Sequence, residues 1–460
     1  MRPIRVHFSP VGCPKANVDR EKVLWRLTSA GFESVDEAEG ADLVVIFTCG
    51  FIDDAKQEAI DDILTYTRFK YTSCAKGIVV VGCLPEKYGD ELSREMPEVD
   101  AFVGNTQIEE LPRILLALAG GRPAERLLRG GSYESARAFT AGGGRCLPSS
   151  GPWTRMVMIS DGCDNACTYC AIPHMRGPLR SRPVEEIVDE VRMLAEQGAK
   201  EIVLAGQDTA SYGLDGGGTR LARLLSRVAE AAEVPWIRLA YANPETLEKS
   251  VAPVIRDHPN VCHYVDMPIQ HASARVLAAM GRRNGPEAIR LAVENLRKIV
   301  PDIALRTSVI VGFPGETETD LKALLRFLGE VEFDMVGVFK FSPQPGTPAA
   351  SLGNKVPAAV ADERLLEVTC LVHDIARSKM KTLLGRDLKV LVEDRERGAS
   401  MGRSQYDMAE VDRVVRLLGC TAQPGDFVLA RPLRCLDDYE IEAVCLGAPG
   451  NGGVDDCHDR

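Results

Sequence analysis

The chain has 460 residues, about three times a common domain size, so two or three domains are expected. With 45% hydrophobic, 26% charged and 6% aromatic residues it has the composition of an ordinary globular protein, which excludes collagenous and low-complexity classes. The 55 Lys and Arg against 66 Asp and Glu leave a net charge of −11, which opposes a polyanionic partner and favours a basic one.

The first residues, MRPIRVHFSPVGCPK, carry Arg2, Arg5 and Pro10 and leave no apolar run for a signal peptide. No stretch is long and apolar enough for a membrane helix, so no membrane association is expected. A cytoplasmic location follows as an expectation, and there 14 cysteines point to metal rather than to disulfides.

A strand-then-helix rhythm runs through the chain and predicts a parallel α/β architecture. The apolar runs at residues 4–8, 42–48 and 77–82 read as fully buried strands of an open parallel α/β domain over residues 1–118. Glycine- and proline-rich strings (AGGRP, RGGS, AGGGR, PSSGP) then mark residues 119–150 as a linker with room for a short hairpin.

The rhythm resumes in residues 151–378, with strands expected at 155–160, 201–206, 236–241, 263–267, 305–312 and 335–342. Helix-like segments fit between them, such as VEEIVDEVRMLAEQG closed by Gly198. Six such units in roughly 190 residues fall short of the usual eight-fold barrel of ~250, so a partial (β/α)6 barrel is expected.

A polar helix near residues 358–384 leads into DLKVLVED, EVDRVVRLLG, DFVLARPLRC and DYEIEAVCLG, which read as a small all-β barrel of OB type over residues 380–447. Residues 448–460 are expected to be disordered. This barrel has about ten basic against about twelve acidic residues and no array of stacking aromatics, so RNA contact is not favoured.

The sharpest local signal is SDGCDNACTYCAIP, with Cys163, Cys167 and Cys170 spaced C-x3-C-x2-C on the loop after the first strand of the second domain. Three thiolates can hold three irons of a cubane cluster and leave the fourth iron open to a cofactor. A closed zinc site would need a fourth ligand, for which His174 is the nearby candidate. This motif at the head of six strand-helix units resembles the radical S-adenosylmethionine superfamily. The resemblance implies that the open iron chelates S-adenosylmethionine, which is cleaved to methionine and a 5'-deoxyadenosyl radical, and that the aromatic Tyr169 lies against the adenine.

Cys13, Cys49 and Cys83 follow the three buried strands of the first domain. In an open parallel sheet the carboxyl ends share one edge, so these thiols, 36 and 34 residues apart, can converge on a second cluster. The alternative is three small buried hydrophobes.

The strings VGCPK, TCGFIDDAK, SDGCDNACTYCAIP, GQDTASYG, MPIQHAS, RTSVIVGFPGET and FSPQPGTPA together resemble the methylthiotransferase family over nearly the whole chain. The resemblance implies two 4Fe-4S clusters, an auxiliary one on Cys13, Cys49 and Cys83 and a radical one on Cys163, Cys167 and Cys170. It implies two uses of S-adenosylmethionine, a C-terminal TRAM-type barrel and an electron donor such as flavodoxin or ferredoxin. The strings CPKA, GFIDDAK, SDGC and QDTASYG are most similar to the branch that modifies the β-carbon of an aspartate in small-subunit ribosomal protein S-twelve. The competing readings are a transferase acting on an adenosine of transfer RNA and a non-enzymatic iron-sulfur carrier. A monomer is expected.

Further candidates for the cofactor site lie at the carboxyl edge of the second sheet. Gln207 and Asp208 end its second strand and suit either a polar cofactor contact or loop capping. Gln270 and His271 follow the fourth strand, where the resemblance puts the site, although a lone His is more often structural. Arg306 and Ser308 lie on the fifth strand, whose exit turn GFPGE (312–316) would let backbone approach a ligand closely or simply make a tight turn. The other eight cysteines share no ligand-like spacing and are read as structural or incidental.

Overall fold

The computed structural model describes residues 2–10, 13–72, 75–128, 130–140, 144–146, 153–216, 218–231, 233–396 and 399–448. Its first unit is a five-stranded parallel sheet in the order Phe32–Val35, Ile4–Phe8, Leu43–Thr48, Gly77–Gly82, Ala101–Gly104. LVVIFT and GIVVVG are buried along their whole length because helices cover both faces, with Val45 and Val81 in one apolar cluster and Ile46 and Val80 in another. The two outer strands, FESV and AFVG, have four residues each and escaped the sequence reading: FESV buries only its Phe32, and AFVG is too short to show a period.

The second unit is a six-stranded sheet of Thr154–Met158, Glu201–Ala205, Trp236–Leu239, Val261–Asp266, Ala304–Val311 and Met335–Lys340, all parallel and adjacent in chain order. Alternation along Ala304–Val311 sets its two faces. Leu305, Val309 and Val311 join the main helix-covered core, while Arg306, Ser308 and Ile310 are only half-buried on the opposite face. Helix Val184–Glu196 stops as expected, with Gly198 at φ +91° just beyond its end.

The third unit is a closed barrel of Leu388–Glu396, Ala399–Ser404, Val414–Leu418, Phe427–Cys435 and Glu440–Gly447. Its strand ASMGRS is small and polar, which is why only four segments were legible for five strands. The barrel is seated against the second sheet at the amino ends of its strands, where Leu391 and Met408 join Trp236, Tyr264 and Ala304 in one cluster. Trp236 meets Phe427 edge-on at 4.8 Å.

Where a hairpin was expected in the linker, the described residues form the helix Tyr133–Thr140. The expected tail lies outside the described residues except for Ala448. Among the described residues, no helix is long and apolar enough to cross a membrane.

Candidate metal centres

The carboxyl edges of the two parallel sheets meet, and the two cysteine sets lie along that junction. Cys13 stands in extended backbone at the start of helix Pro14–Ser29. Cys49 follows strand Leu43–Thr48, and Cys83 opens helix Cys83–Glu95 directly after strand Gly77–Gly82. Glycines bring these loops together. A Cβ on Gly50 would stand 3.3 Å from the Cys83 carbonyl oxygen, and one on Gly82, at φ +114°, would stand 2.7 Å from the Thr48 oxygen.

The neighbouring Cys49 thiol is the main cause holding Cys13 down to about 5 against burial, with help from the Ala16 backbone, Lys15 and Arg176. The same neighbour and burial push Cys49 up. The surroundings of Cys13 favour its thiolate, the form that ligates metal. Asn105 Nδ2 donates to the Cys83 sulfur at 3.4 Å.

In the second set, the loop of residues 163–170 is pinned by backbone bonds from Cys163 N to Gly177 O (3.1 Å), Thr168 N to Met280 O (2.9 Å) and Ala349 N to Thr168 O (2.9 Å). Its entry needs Gly162, at φ +76°, where a Cβ would stand 1.9 Å from the Pro178 oxygen. Burial pushes the Cys163 and Cys170 thiols up to about 11 and about 12, and each lies close enough to Cys167 to be raised further by it.

Lys15 stands between the two sets, its Nζ 4.1 Å from the centre of the Tyr241 ring. Its charge reaches Cys13 on one side and Cys170 on the other. Arg176, at the end of the short helix after Cys170, pairs with Asp19 of the first unit at 2.7 Å and approaches Asp161 at 3.8 Å. A cavity of about 90 Å³ lies beside this junction, lined by Lys15, Thr48 and Gly82 from the first unit and by Ser160, Arg176 and Arg180 from the second.

Tyr169 packs against Val276, Met280 and Phe313, and burial raises its hydroxyl pKa well above the usual range. Gln207 has a buried Oε1 with no hydrogen-bond partner. Asp208 is a loop cap: it accepts from Ala210 N (3.1 Å), Ser211 Oγ (2.6 Å), Asn243 N (3.2 Å) and Asn165 Nδ2 (2.6 Å). The Asn165 bond ties the cysteine loop to the end of the second strand.

Gln270 sits at φ +69° and extends the sheet, donating to Ser308 O at 2.8 Å and accepting from Ile310 N at 2.7 Å. His271 is fully buried; its Nδ1 accepts from Ser273 N at 2.9 Å, which leaves the proton on Nε2, and Nε2 has no partner. Arg306 is drawn toward the barrel, pairing with Asp266 and Asp412 at 3.1 Å each, with Ser308 Oγ at 3.5 Å. The close approach made at Gly312 is to helix Ala358–Lys381, since a Cβ there would stand 2.8 Å from that of Ala361. His174, the further ligand a closed zinc site would need, is exposed.

Lys15, Asn105 and Arg176 were not singled out in the sequence. Lys15 stands in plain view in VGCPK, and Arg176 ends the turn after the cysteine loop. Asn105 follows a strand that was itself not read, and no local pattern marks it.

Among the described residues, no three His, Cys, Asp or Glu side chains converge on one ion. A cubane does not require that, because each cysteine takes a different iron. The donor set does fit clusters: three thiols per site, glycine-lined cradles that a Cβ would fill, and the unpartnered Gln207 Oε1 and His271 Nε2 at the same sheet edge.

Residues 157–328 match the Radical SAM superfamily, and residues 5–104 match the uncharacterized protein family UPF0004. The chain is 40% identical to the ribosomal protein uS12 methylthiotransferase RimO of Sorangium cellulosum (strain So ce56), covering 97% of this chain and 92% of that one. It is 38% identical to the protein of the same name from Heliobacterium modesticaldum (strain ATCC 51547 / Ice1), covering 97% and 96%. Among solved structures, the radical S-adenosylmethionine methyltransferase TsrM from Kitasatospora setae, with cobalamin and a 4Fe-4S cluster bound, shares the fold at TM-score 0.55 and 16% identity, covering 76% of this chain and 77% of that one. The chain belongs to the radical S-adenosylmethionine methylthiotransferase family, as a full-length relative of the ribosomal protein uS12 methylthiotransferases.

Proposed function

We propose that this enzyme transfers a methylthio group to the β-carbon of an aspartate in small-subunit ribosomal protein uS12. The observation that carries the reading is the pair of three-cysteine sites facing one junction in a chain similar over its whole length to enzymes of that name. Cys163, Cys167 and Cys170 hold the radical cluster, and Cys13, Cys49 and Cys83 the auxiliary one. Bound there, the clusters and S-adenosylmethionine supply the electron, the hydrogen-abstracting radical and the methylated sulfur that an unactivated C–H bond demands.

The protein's own groups orient and shield that chemistry. Tyr169 gives the cofactor an apolar wall, Gln207 an acceptor and His271 a donor. Burial holds the His271 imidazole down to about 4, so it donates as a neutral ring at working pH. Gln270 and Ser308 fix the backbone beside them. Arg306 acts through Asp266, whose second oxygen accepts the Tyr241 N–H at 3.2 Å. Residues 1–118, 151–378 and 380–447 are the three functional units.

A basic protein suits this acidic chain better than RNA. In the barrel, Arg403, Arg413, Arg431 and Arg434 each pair with a carboxylate, at 2.6–2.8 Å, and so are compensated before any phosphate could approach. Six metal-binding thiolates and a ribosomal substrate point to the cytoplasm, with a flavodoxin or ferredoxin as electron donor and a monomer as the working form.

The test is anaerobic reaction of the reconstituted enzyme with S-adenosylmethionine, reductant and either uS12 or transfer RNA, followed by mass spectrometry of both. A methylthio gain on a uS12 aspartate is expected. A gain on adenosine alone would overturn the substrate assignment.

A further inference from the structure

Asn105 touches both cysteine regions at once. Its Nδ2 donates to the Cys83 sulfur at 3.4 Å and to the Met175 carbonyl at 2.9 Å. Met175 belongs to helix Ile172–Arg176, which leaves the loop of Cys163, Cys167 and Cys170 two residues after Cys170. One side-chain amide therefore spends its two protons on the two loops that carry the metal sites.

The amide is held for this. Asn105 opens the 3-10 helix Asn105–Glu110, and the next residue, Thr106, is fixed to Glu86 by its N–H (2.9 Å) and its hydroxyl (3.0 Å). Glu86 lies one turn after Cys83 on the same helix, so the platform under Asn105 is built from the helix that Cys83 begins. Gly104 admits this contact, since a Cβ there would stand 2.2 Å from the Glu86 carboxylate. Neither proton of Nδ2 is left for water, and the loop cannot rotate without breaking the Glu86 bonds.

Resting on the reading of Cys83 as an auxiliary-cluster ligand, we infer that Asn105 is a positioning residue of that cluster: it orients the Cys83 sulfur, withdraws charge from it, and fixes its spacing from the radical-domain loop. A hydrogen bond to a ligating sulfur stabilises the more reduced, more negative cluster and so raises its potential. A merely structural asparagine would leave the potential where it is.

The experiment uses reconstituted full-length protein in which Cys163, Cys167 and Cys170 are alanine, so that only the auxiliary cluster remains. Asn105→Ala and the isosteric Asn105→Asp are introduced there, and the midpoint potential is followed by electron paramagnetic resonance during redox titration. Both substitutions should make the potential more negative, Asp more than Ala because it sets an acceptor beside the sulfur. The same two substitutions in protein lacking Cys13, Cys49 and Cys83 should leave the radical-domain cluster unmoved. Selective loss of auxiliary iron, with radical-domain iron retained, expresses the same role more strongly. An unchanged auxiliary potential at full iron content, or equal effects on both clusters, overturns the inference. Failure of the underlying reading is distinct: a Cys83→Ala protein would then keep its full auxiliary iron.

Discussion

Gly82 is the point at which a single methyl group reaches the site proposed for the auxiliary cluster. It carries φ +114°, and any Cβ there would press on the Thr48 carbonyl of the neighbouring strand, one residue before Cys49. Gly82→Ala therefore combines left-handed strain with a backbone clash, a cost of about 1–3 kcal/mol. A lower melting temperature is expected together with loss of auxiliary iron and retention of radical-domain iron. Iron content that falls equally at both sites would show that the strain spreads beyond the loop.

His271 makes a second prediction, on pH. Its folded pKa of about 4 lies below the ordinary 6.5, so the unfolded chain takes up a proton first. The sign follows: stability is full above pH 6.5, falls as pH drops from 6.5 toward 4, and this contribution then levels off, an effect of about 3 kcal/mol. His271→Gln should flatten that part of the pH profile in chemical denaturation, and an unchanged slope would mean that other groups carry it.

Among elements, the buried carboxylate that seats the barrel is the sensitive one. Glu201, fully buried at the start of its strand, bonds Arg238 of the next strand at 2.5 Å and also pairs with Arg403 of the barrel. Burial pushes its carboxyl up, but the two guanidinium groups outweigh this and hold it down to about 2. Its contribution is present above the unfolded value near 4.5 and is lost as pH falls toward 2. Glu201→Gln would leave two buried cations facing a neutral amide, a loss of about 3–5 kcal/mol. The expected result is a lower melting temperature with proteolysis starting between the second and third units, and cleavage elsewhere would move the weak point.

Nothing in the string EIVLAG foretold this, because the partners of Glu201 lie 37 and 202 residues away. The strands that could be read were those buried on both faces, such as LVVIFT and GIVVVG, whose apolar runs need no partner to be recognised. The placement of Cys13, Cys49 and Cys83 at one sheet edge was legible for a related reason: a parallel sheet puts its carboxyl ends on one edge whatever the loops do. Asn105 and Arg145 were not legible. One follows a four-residue strand, and the other sits in a glycine-rich segment that reads as a spacer.

At the scale of the whole molecule, Arg145 ties the first unit to the second. It is buried, donates to Glu21 of helix Pro14–Ser29 through Nε at 2.7 Å, to the Met156 carbonyl at 2.6 Å and to Glu190 of helix Val184–Glu196 at 3.2 Å. Lys22 at 3.2 Å and Arg182 at 2.7 Å complete the group around Glu190, whose carboxyl burial pushes up and these cations hold down to about 2. Glu21 and Lys22 stand on the helix that Cys13 begins, so the network fixes the angle at which that helix, and with it Cys13, faces the second unit. Under the function proposed above, radical formation would need only the second unit, whereas transfer would need both cysteine sites at a set distance. Arg145→Met should therefore cost about 3 kcal/mol through the stranded carboxylates, and raise amide exchange in Pro14–Ser29 and Thr154–Met158. Formation of 5'-deoxyadenosine should continue while methylthio product per cofactor cleaved falls severalfold. If both activities fell together with exchange unchanged, the network would be a local brace of the second unit and the two sites would owe their spacing to the Arg176–Asp19 and Asn105 contacts instead.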